Sequence, residues 1–506
     1  MQPVERHSFA PDASFDGGDL DCGNGLLLLI RQHMDPLPRG GLLEFRSTEI
    51  SVEADFPAWC RMTGNELVSW TKRDNLRSFL VCKGALADRR ERQSAARPAT
   101  VLGLDVVPVR IPRTLPPPAP VPAIPALAVM GVGSWPRPRW MLQAIHDHME
   151  GRLSDADFRA TADDATRLAV QPQLRAGVDV VTDGEQRRDN YASFVGGRLD
   201  NCRLIPLTDL LPLVDHPEEF EREMRSLDVP AAEVRHPAVF GPLGRSRPLA
   251  RDEFEIVRAI TECPVKIALP GPYLLTRMMW MECIADRAYG SREHLARDVV
   301  RVLREEIHDL LAAGVALVQL DEPVLSEVVF TGAKNMRSFM CGALSEKGDS
   351  QTELEFARTL INQVVAGLPR ARLGLHVCRG NWTPDERVAL AGDYRPLLGL
   401  LSSVDVGTLF LELATPRAGA MEILADLPDD RRIGVGVVNQ KRREVETVEE
   451  VVAHGRRAMG ILGKDRVLLT PDCGFATFAD NPVASPQIAE AKLRVIVDAA
   501  ERLRKP

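Results

Sequence analysis

The sequence predicts an α/β protein whose larger part is a (β/α)8 barrel of the TIM type, preceded by a small α+β domain of two layers. Three observations carry this expectation. Eight short apolar runs, each ending in polar or small residues, follow one another between residues 128 and 474. Several of the intervals between them hold apolar residues at three and four spacing, the pattern of a helix packed on one face. Between Ala87 and Ala128 charged residues give way to clusters of proline, which exclude helix and central strand. A linker at 88–125 therefore separates residues 1–87 from 126–506.

In order, the runs are "AVMGVGS", "VDVVTDGE", "VKIALPGP", "ALVQLDEP", "LGLHVC", "TLFLEL", "RIGVGVVN" and "RVLLTPDCG". The intervals "SREHLARDVVRVLREEIHDLLAAG" and "VETVEEVVAHGRRAMGIL" read as amphipathic helices. Eight strands alternating with helices specify a parallel barrel. A doubly wound open sheet is the competing arrangement, but no G-x-G-x-x-G phosphate loop follows the first run.

With 45% hydrophobic and 26% charged residues, the chain has the composition of a soluble globular protein. Its net charge of -8 speaks against a nucleic-acid footprint. No uncharged apolar run of about 18 residues is present to span a membrane. The opening residues lack the basic region and apolar core of a signal peptide. Nine widely spaced cysteines point to reduced thiols in a cytoplasm.

In such a barrel the polar residues at the carboxyl ends of strands build the active site. Here those ends carry Ser134, Asp183, Glu185, Asp321, Glu322, His376, Cys378, Glu412, Asn439 and Cys473. Alternate residues of a strand share a face, so His376 and Cys378 point the same way. With Glu412 and Cys473 they form a set that suits zinc, which accepts imidazole nitrogen, thiolate and carboxylate in a tetrahedron. Three negative ligand charges favour an electron-rich bound thiol over an acidified water. Each residue also has a plainer reading: Glu412 as a salt-bridge partner, Cys473 as a small buried thiol. Asp321 and Glu322 are adjacent, so one faces the site and the other makes a structural ion pair.

From about residue 128 to 504 these pieces resemble the C-terminal catalytic barrel of cobalamin-independent methionine synthase and its single-barrel relatives. The matching stretches are "MGVGSWPRP", "TDGEQRRDNYASF", "LPGPYLL", "VQLDEPVL", "HVCRGNW", "LFLELA", "GVGVVNQKRREVETVEEV" and "LLTPDCGF". The resemblance implies a zinc-bound thiol alkylated at sulfur, with His376, Cys378, Glu412 and Cys473 as ligands. It also implies that Glu185 and Asp321 hold the ammonium group of an amino-acid thiol, while the turn at Gly133 and Ser134 receives its carboxylate. Where folate-dependent members carry a histidine after the seventh strand, this chain reads Asn439-Gln440-Lys441. The resemblance therefore leaves a folate, a corrinoid protein or another alkyl donor as the source of the methyl or alkyl group.

Residues 14–86 resemble the small sulfur-carrier proteins of the TusA type. A cysteine precedes a helix, a strand "RGGLLEFRST" follows, and "ADFPAWCRMTGNEL" leads to a final strand "SFLVCKG". The family's Cys-Pro-x-Pro becomes Cys22-Gly23-Asn24-Gly25, with Cys22 at the carrier position where a helix dipole favours a thiolate or persulfide. The leading expectation is therefore a zinc-dependent S-methyl or S-alkyl transferase with a small thiol acceptor. A second expectation makes Cys22 a catalytic persulfide, loaded by a cysteine desulfurase or a sulfur relay protein, that supplies sulfur to the zinc site. A third is a non-enzymatic sulfur carrier or scaffold.

Overall fold

The computed structural model describes residues 3–4, 6–7, 9, 11–21, 25–86, 106–206, 235–280, 288–330, 349–381, 386, 389–476 and 483–505. Two compact units divide at Leu104 and Asp105.

The first unit runs β1 (Ala13–Asp16), α1 (Leu27–Met34), β2 (Leu42–Ser47), α2 (Val52–Thr63), β3 (Glu66–Arg73) and β4 (Leu76–Cys82). Its sheet has the order β1-β2-β4-β3, with β1 parallel to β2 and the other pairs antiparallel. Alternation along β2 and β4 sends Leu43, Phe45, Phe79 and Val81 into one apolar cluster with Ile30 and Met34 of α1 and Val52 and Phe56 of α2. The result is two layers, helices over a sheet.

The second unit contains a hairpin, β5 (Asp200–Pro206) with β6 (Arg235–Gly244), and six parallel strands. These are β7 (Lys266–Pro270), β8 (Leu317–Asp321), β9 (Leu373–Val377), β10 (Thr408–Leu411), β11 (Arg432–Val438) and β12 (Val467–Pro471), hydrogen-bonded in sequence order. Three parallel bridges complete the circuit: Val181 to Val265 beside β7, Met130 to Val180, and Val129 to Leu469 of β12. Eight parallel segments thus form a closed ring, and the open-sheet alternative is excluded because neither end of the six-stranded sheet is free.

Around the ring lie α3 (Arg139–Met149), α4 (Asp155–Ala176), α5 (Arg251–Ile260), α6 (Pro272–Met279), α7 (Arg292–Ala313), α8 (Val324–Phe330), α9 (Ser350–Val365), α10 (Leu398–Ser403), α11 (Val448–Leu462) and α12 (Pro486–Arg504). Local chemistry sets their limits. Ser291 caps α7 through the His294 N–H, and Gly314 ends it at a left-handed φ of 101°. Thr447 and Glu450 form a reciprocal capping box at the start of α11. Thr447→Ala should cost about 1 kcal/mol, read as a lower urea midpoint; an unchanged midpoint would show the cap to be idle.

Inside the ring, Phe410 packs with Ala128, Met130, Val180, Leu317 and Leu468. Glycines on both flanking strands make room for its ring. A Cβ on Gly434 would collide with the Phe410 ring, and one on Gly374 would approach it to 2.8 Å. Layers of this kind fill a barrel rather than leave a pore.

Of the span read as a linker, residues 106–125 belong to the second unit. His308 Nδ1 pairs with Pro116 O at 3.0 Å, the Ala119 N–H donates to Leu311 O at 3.0 Å, and Arg372 donates to Ala119 O at 2.5 Å. Proline removes donors but leaves carbonyls, so a proline-rich strap is suited to accept from arginine. Among the described residues, no helix is long and apolar enough to cross a membrane.

Candidate metal and thiol site

The carboxyl ends of β9 and β12 bring His376, Cys378 and Cys473 together. Their ligand atoms all lie within 4.8 Å of one another, and all three side chains are buried. Cys378 Sγ is 3.4 Å from Cys473 Sγ, which in turn is 3.8 Å from His376 Nε2. The thiols are free. Cys378 against Cys473, together with burial, pushes the Cys473 thiol well above its usual range. A cation among these donors would reverse that preference, since metal binding deprotonates thiols.

The register of β8 and β9 places Asp321 opposite His376. Asp321 Oδ1 lies 2.9 Å from His376 Nδ1 and accepts a bond from Gln319 Nε2 at 2.7 Å. Gln319 Oε1 accepts from Lys266 Nζ at 2.7 Å. This buried chain fixes the imidazole with Nε2 toward the thiols, the role an outer carboxylate plays at histidine-ligated metals. Lys266 lies in the barrel interior over the Phe410 ring, and burial lowers its pKa to about 7. Asp321, expected to hold an ammonium group, thus spends one oxygen on the histidine. Asp321→Asn should weaken metal binding about 10- to 100-fold, measured by competition with a chelator; parent affinity would remove Asp321 from that role.

Glu412, at the end of β10, lies outside the three-residue cluster. Its Oε1 accepts the Arg379 backbone N–H at 2.7 Å, and its Oε2 pairs with Arg417 at 3.0 Å. Among the described residues, Glu322 makes no ion pair of the kind expected. Its carboxylate accepts the N–H groups of Tyr273 and Leu274 in the first turn of α6, a helix start that favours anions. Even so, burial raises its pKa to about 8.

Glu185 sits in a strained left-handed conformation, φ 56°, after Gly184 at φ 73°. Asp183 Oδ2 accepts its N–H at 2.9 Å, and Arg137 donates to its carbonyl at 2.7 Å. Burial raises the pKa of Glu185, and its Oε2 has no hydrogen-bond partner among the described residues. Burial likewise raises Asp183 to about 8. Gly133 lies against the Glu185 carboxylate, where a Cβ would collide with Oε1. A side chain at 133 would force the Glu185 carboxylate to move. Ser134 Oγ donates to Ala476 O, and Ser134 O accepts the Phe475 N–H at 3.1 Å, which ties the first strand end to the Cys473 loop.

Arg137, Arg417 and the Gln319–Lys266 pair did not stand out in the sequence, and Lys441 stood out only as part of the turn that lacks a histidine. Arg137 and Lys441 stand in the quoted motifs, and both leave side-chain nitrogens buried without partners among the described residues. Cys22 lies outside the described residues.

Residues 127–502 match the family described as cobalamin-independent synthase, catalytic domain. The chain belongs to this family. Among curated relatives, the methionine synthase of Saccharolobus solfataricus is 26% identical over 383 residues, covering 76% of this chain and 96% of that protein. The methionine synthase of Sulfurisphaera tokodaii is 26% identical over 353 residues, covering 70% and 87%. Among solved structures, a B12-independent methionine synthase from Shewanella sp. W3-18-1, in complex with selenomethionine, aligns at a TM-score of 0.57 and 23% identity. That alignment covers 75% of this chain and 98% of the other. A putative vitamin-B12 independent methionine synthase from Listeria monocytogenes aligns at 0.54 and 20% identity, covering 76% and 100%. These likenesses support the fold of the cobalamin-independent synthase catalytic domain for the second unit.

Proposed function

We propose that this enzyme transfers a methyl or alkyl group to the sulfur of a small amino-acid thiol such as homocysteine, at a zinc ion held by His376, Cys378, Cys473 and Glu412. The observation that carries the reading is the convergence of one imidazole and two thiols at the carboxyl ends of β9 and β12. The donor chemistry of these three fits zinc, and the fourth ligand assigned is Glu412, at the end of β10 beside β9, which would have to release Arg379 N–H or Arg417 to bind it. When bound, zinc supplies a Lewis acid that lowers the pKa of the acceptor thiol.

The protein's own groups do the rest. Asp321 keeps the proton of His376 on Nδ1 and leaves Nε2 free to ligate. Glu185 Oε2, without a partner among the described residues, is a buried acceptor suited to the ammonium of an amino acid. Gly133 and Ser134 form the turn assigned to its carboxylate. The methyl donor, a folate or a corrinoid protein, approaches from the mouth that also bears the Asn439-Gln440-Lys441 turn.

The first unit is proposed as a TusA-like carrier module, on the support of its two-layer order and the match of β2, α2 and β4 to the carrier frame. Incubating zinc-loaded protein with homocysteine and either methyltetrahydrofolate glutamate or a methylated corrinoid should yield methionine by mass spectrometry. A protein that binds no zinc and forms no thioether with either donor would refute the assignment.

A further inference from the structure

After β11 the chain turns through Asn439, Gln440 and Lys441, and the turn is firmly held. Asn439 Oδ1 accepts the Lys441 backbone N–H at 2.9 Å, while Asn439 Nδ2 donates to Glu386 at 2.7 Å. Gln440 Nε2 donates to Asn381 Oδ1 at 2.8 Å, and Asn381 donates to Gly474 O at 2.8 Å. The turn is thereby braced against the loop that carries Cys473.

One side chain of the turn is left unspent. Lys441 is only 6% exposed, and among the described residues its Nζ has no hydrogen-bond partner. An ammonium has three donors and no acceptor, so burying it without partners is costly unless something is to arrive. Burial works against its charge, as does Arg417, while the charges of Cys378, Glu412 and Cys473 favour it. Arg417, the other cation there, already donates to Glu412 and to Leu390 O.

We propose that Lys441 is a substrate-facing residue whose ammonium is the counter-charge that draws the acceptor thiolate into the site. This rests on the zinc-thiol reading above. The two thiolates and the Glu412 carboxylate place negative charge at the site, opposed by a divalent zinc, Arg417 and Lys441, while the Asp321 carboxylate is held at His376. Of the two side-chain cations, Arg417 is engaged and the Lys441 ammonium has no hydrogen-bond partner among the described residues. An arriving thiolate, whose proton has gone to solvent, supplies the missing counter-charge. No redox step is involved. Without the lysine the loaded site holds a buried, uncompensated negative charge, which is costly where little water screens it.

The test uses the full-length, zinc-loaded chain and homocysteine as the probe, titrated calorimetrically from pH 6 to pH 9 in two buffers of different ionisation heat. The parent should release about one proton per thiol bound. Lys441→Met should keep its zinc but bind homocysteine about 10- to 100-fold more weakly near neutral pH, as one to two pKa units of lost thiolate stabilisation require. Its affinity should recover as the pH rises, and Lys441→Arg should restore most of the loss. Lys441→Met with its zinc and the parent's affinity and pH dependence would overturn the proposal. So would loss of zinc from that variant, which would assign the lysine to the metal rather than to the acceptor. A parent that binds neither zinc nor homocysteine would overturn the functional reading itself, and this inference with it.

Discussion

Cys378→Ser and Cys473→Ser enzymes are expected to emerge from dialysis without zinc and to form no thioether from homocysteine. The two sulfurs lie 3.4 Å apart, and each is within reach of the imidazole that Asp321 orients, so either substitution removes one corner of a shared site. A serine hydroxyl does not replace a thiolate. It is a harder donor, and at neutral pH it keeps its proton. Losing an outer partner of a metal ligand costs about 10- to 100-fold in affinity, and loss of the ligand itself should exceed that. Both positions are buried and near-isosteric with serine, so the parent's circular dichroism should survive. Atomic absorption and product analysis decide the matter. Variants with a full complement of zinc and parental turnover would remove both cysteines from the site.

The largest effect on stability is expected at Arg188. Its guanidinium bonds both oxygens of Glu253 on α5, at 2.9 and 2.5 Å, donates to Ala268 O on β7 at 2.8 Å, and lies over the Phe194 ring. Both charged side chains are fully enclosed, and Arg188 follows Glu185 by one turn of chain. Arg188→Met leaves the Glu253 carboxylate buried and alone, a change that costs about 3–5 kcal/mol. Arg188→Met combined with Glu253→Met removes both charges and should recover most of that loss. Urea unfolding of the single and double variants measures the difference. If the single variant lost less than about 1 kcal/mol, solvent would have to reach the carboxylate.

The barrel was legible because its chemistry is periodic. Each apolar run that ends in a polar residue became a parallel segment, and the polar residue then stood at the mouth. The β5–β6 hairpin was not legible, because Pro206, Pro237 and Pro242 interrupt it and proline argues against a strand from sequence alone. Among the site residues, His376, Cys378 and Cys473 stood out by type and spacing. The bond of Asp321 to His376 did not, since 55 residues separate them and only the register of β8 with β9 sets them side by side. The N–H groups that Glu322 accepts belong to a helix 48 and 49 residues away, so its place outside any ion pair was equally hidden. Lys441 lay in plain view within a quoted motif, but burial without a partner is a property of packing that one sequence does not display.

The strap at 106–125 bears on how small a working enzyme can be made. The family match begins at residue 127, and a truncation there would seem natural. It would discard Ala119 O, an acceptor of the Arg372 guanidinium at the foot of β9, and the carbonyls of Ile124 and Pro125, which take the Arg432 guanidinium at the start of β11. Arginines stripped of these acceptors would sit partly buried and undersatisfied beneath the two strands that lead to His376 and Lys441. A minimal enzyme is therefore better begun near Asp105. The prolines that look dispensable in the sequence are, in the fold, the underside of the catalytic barrel.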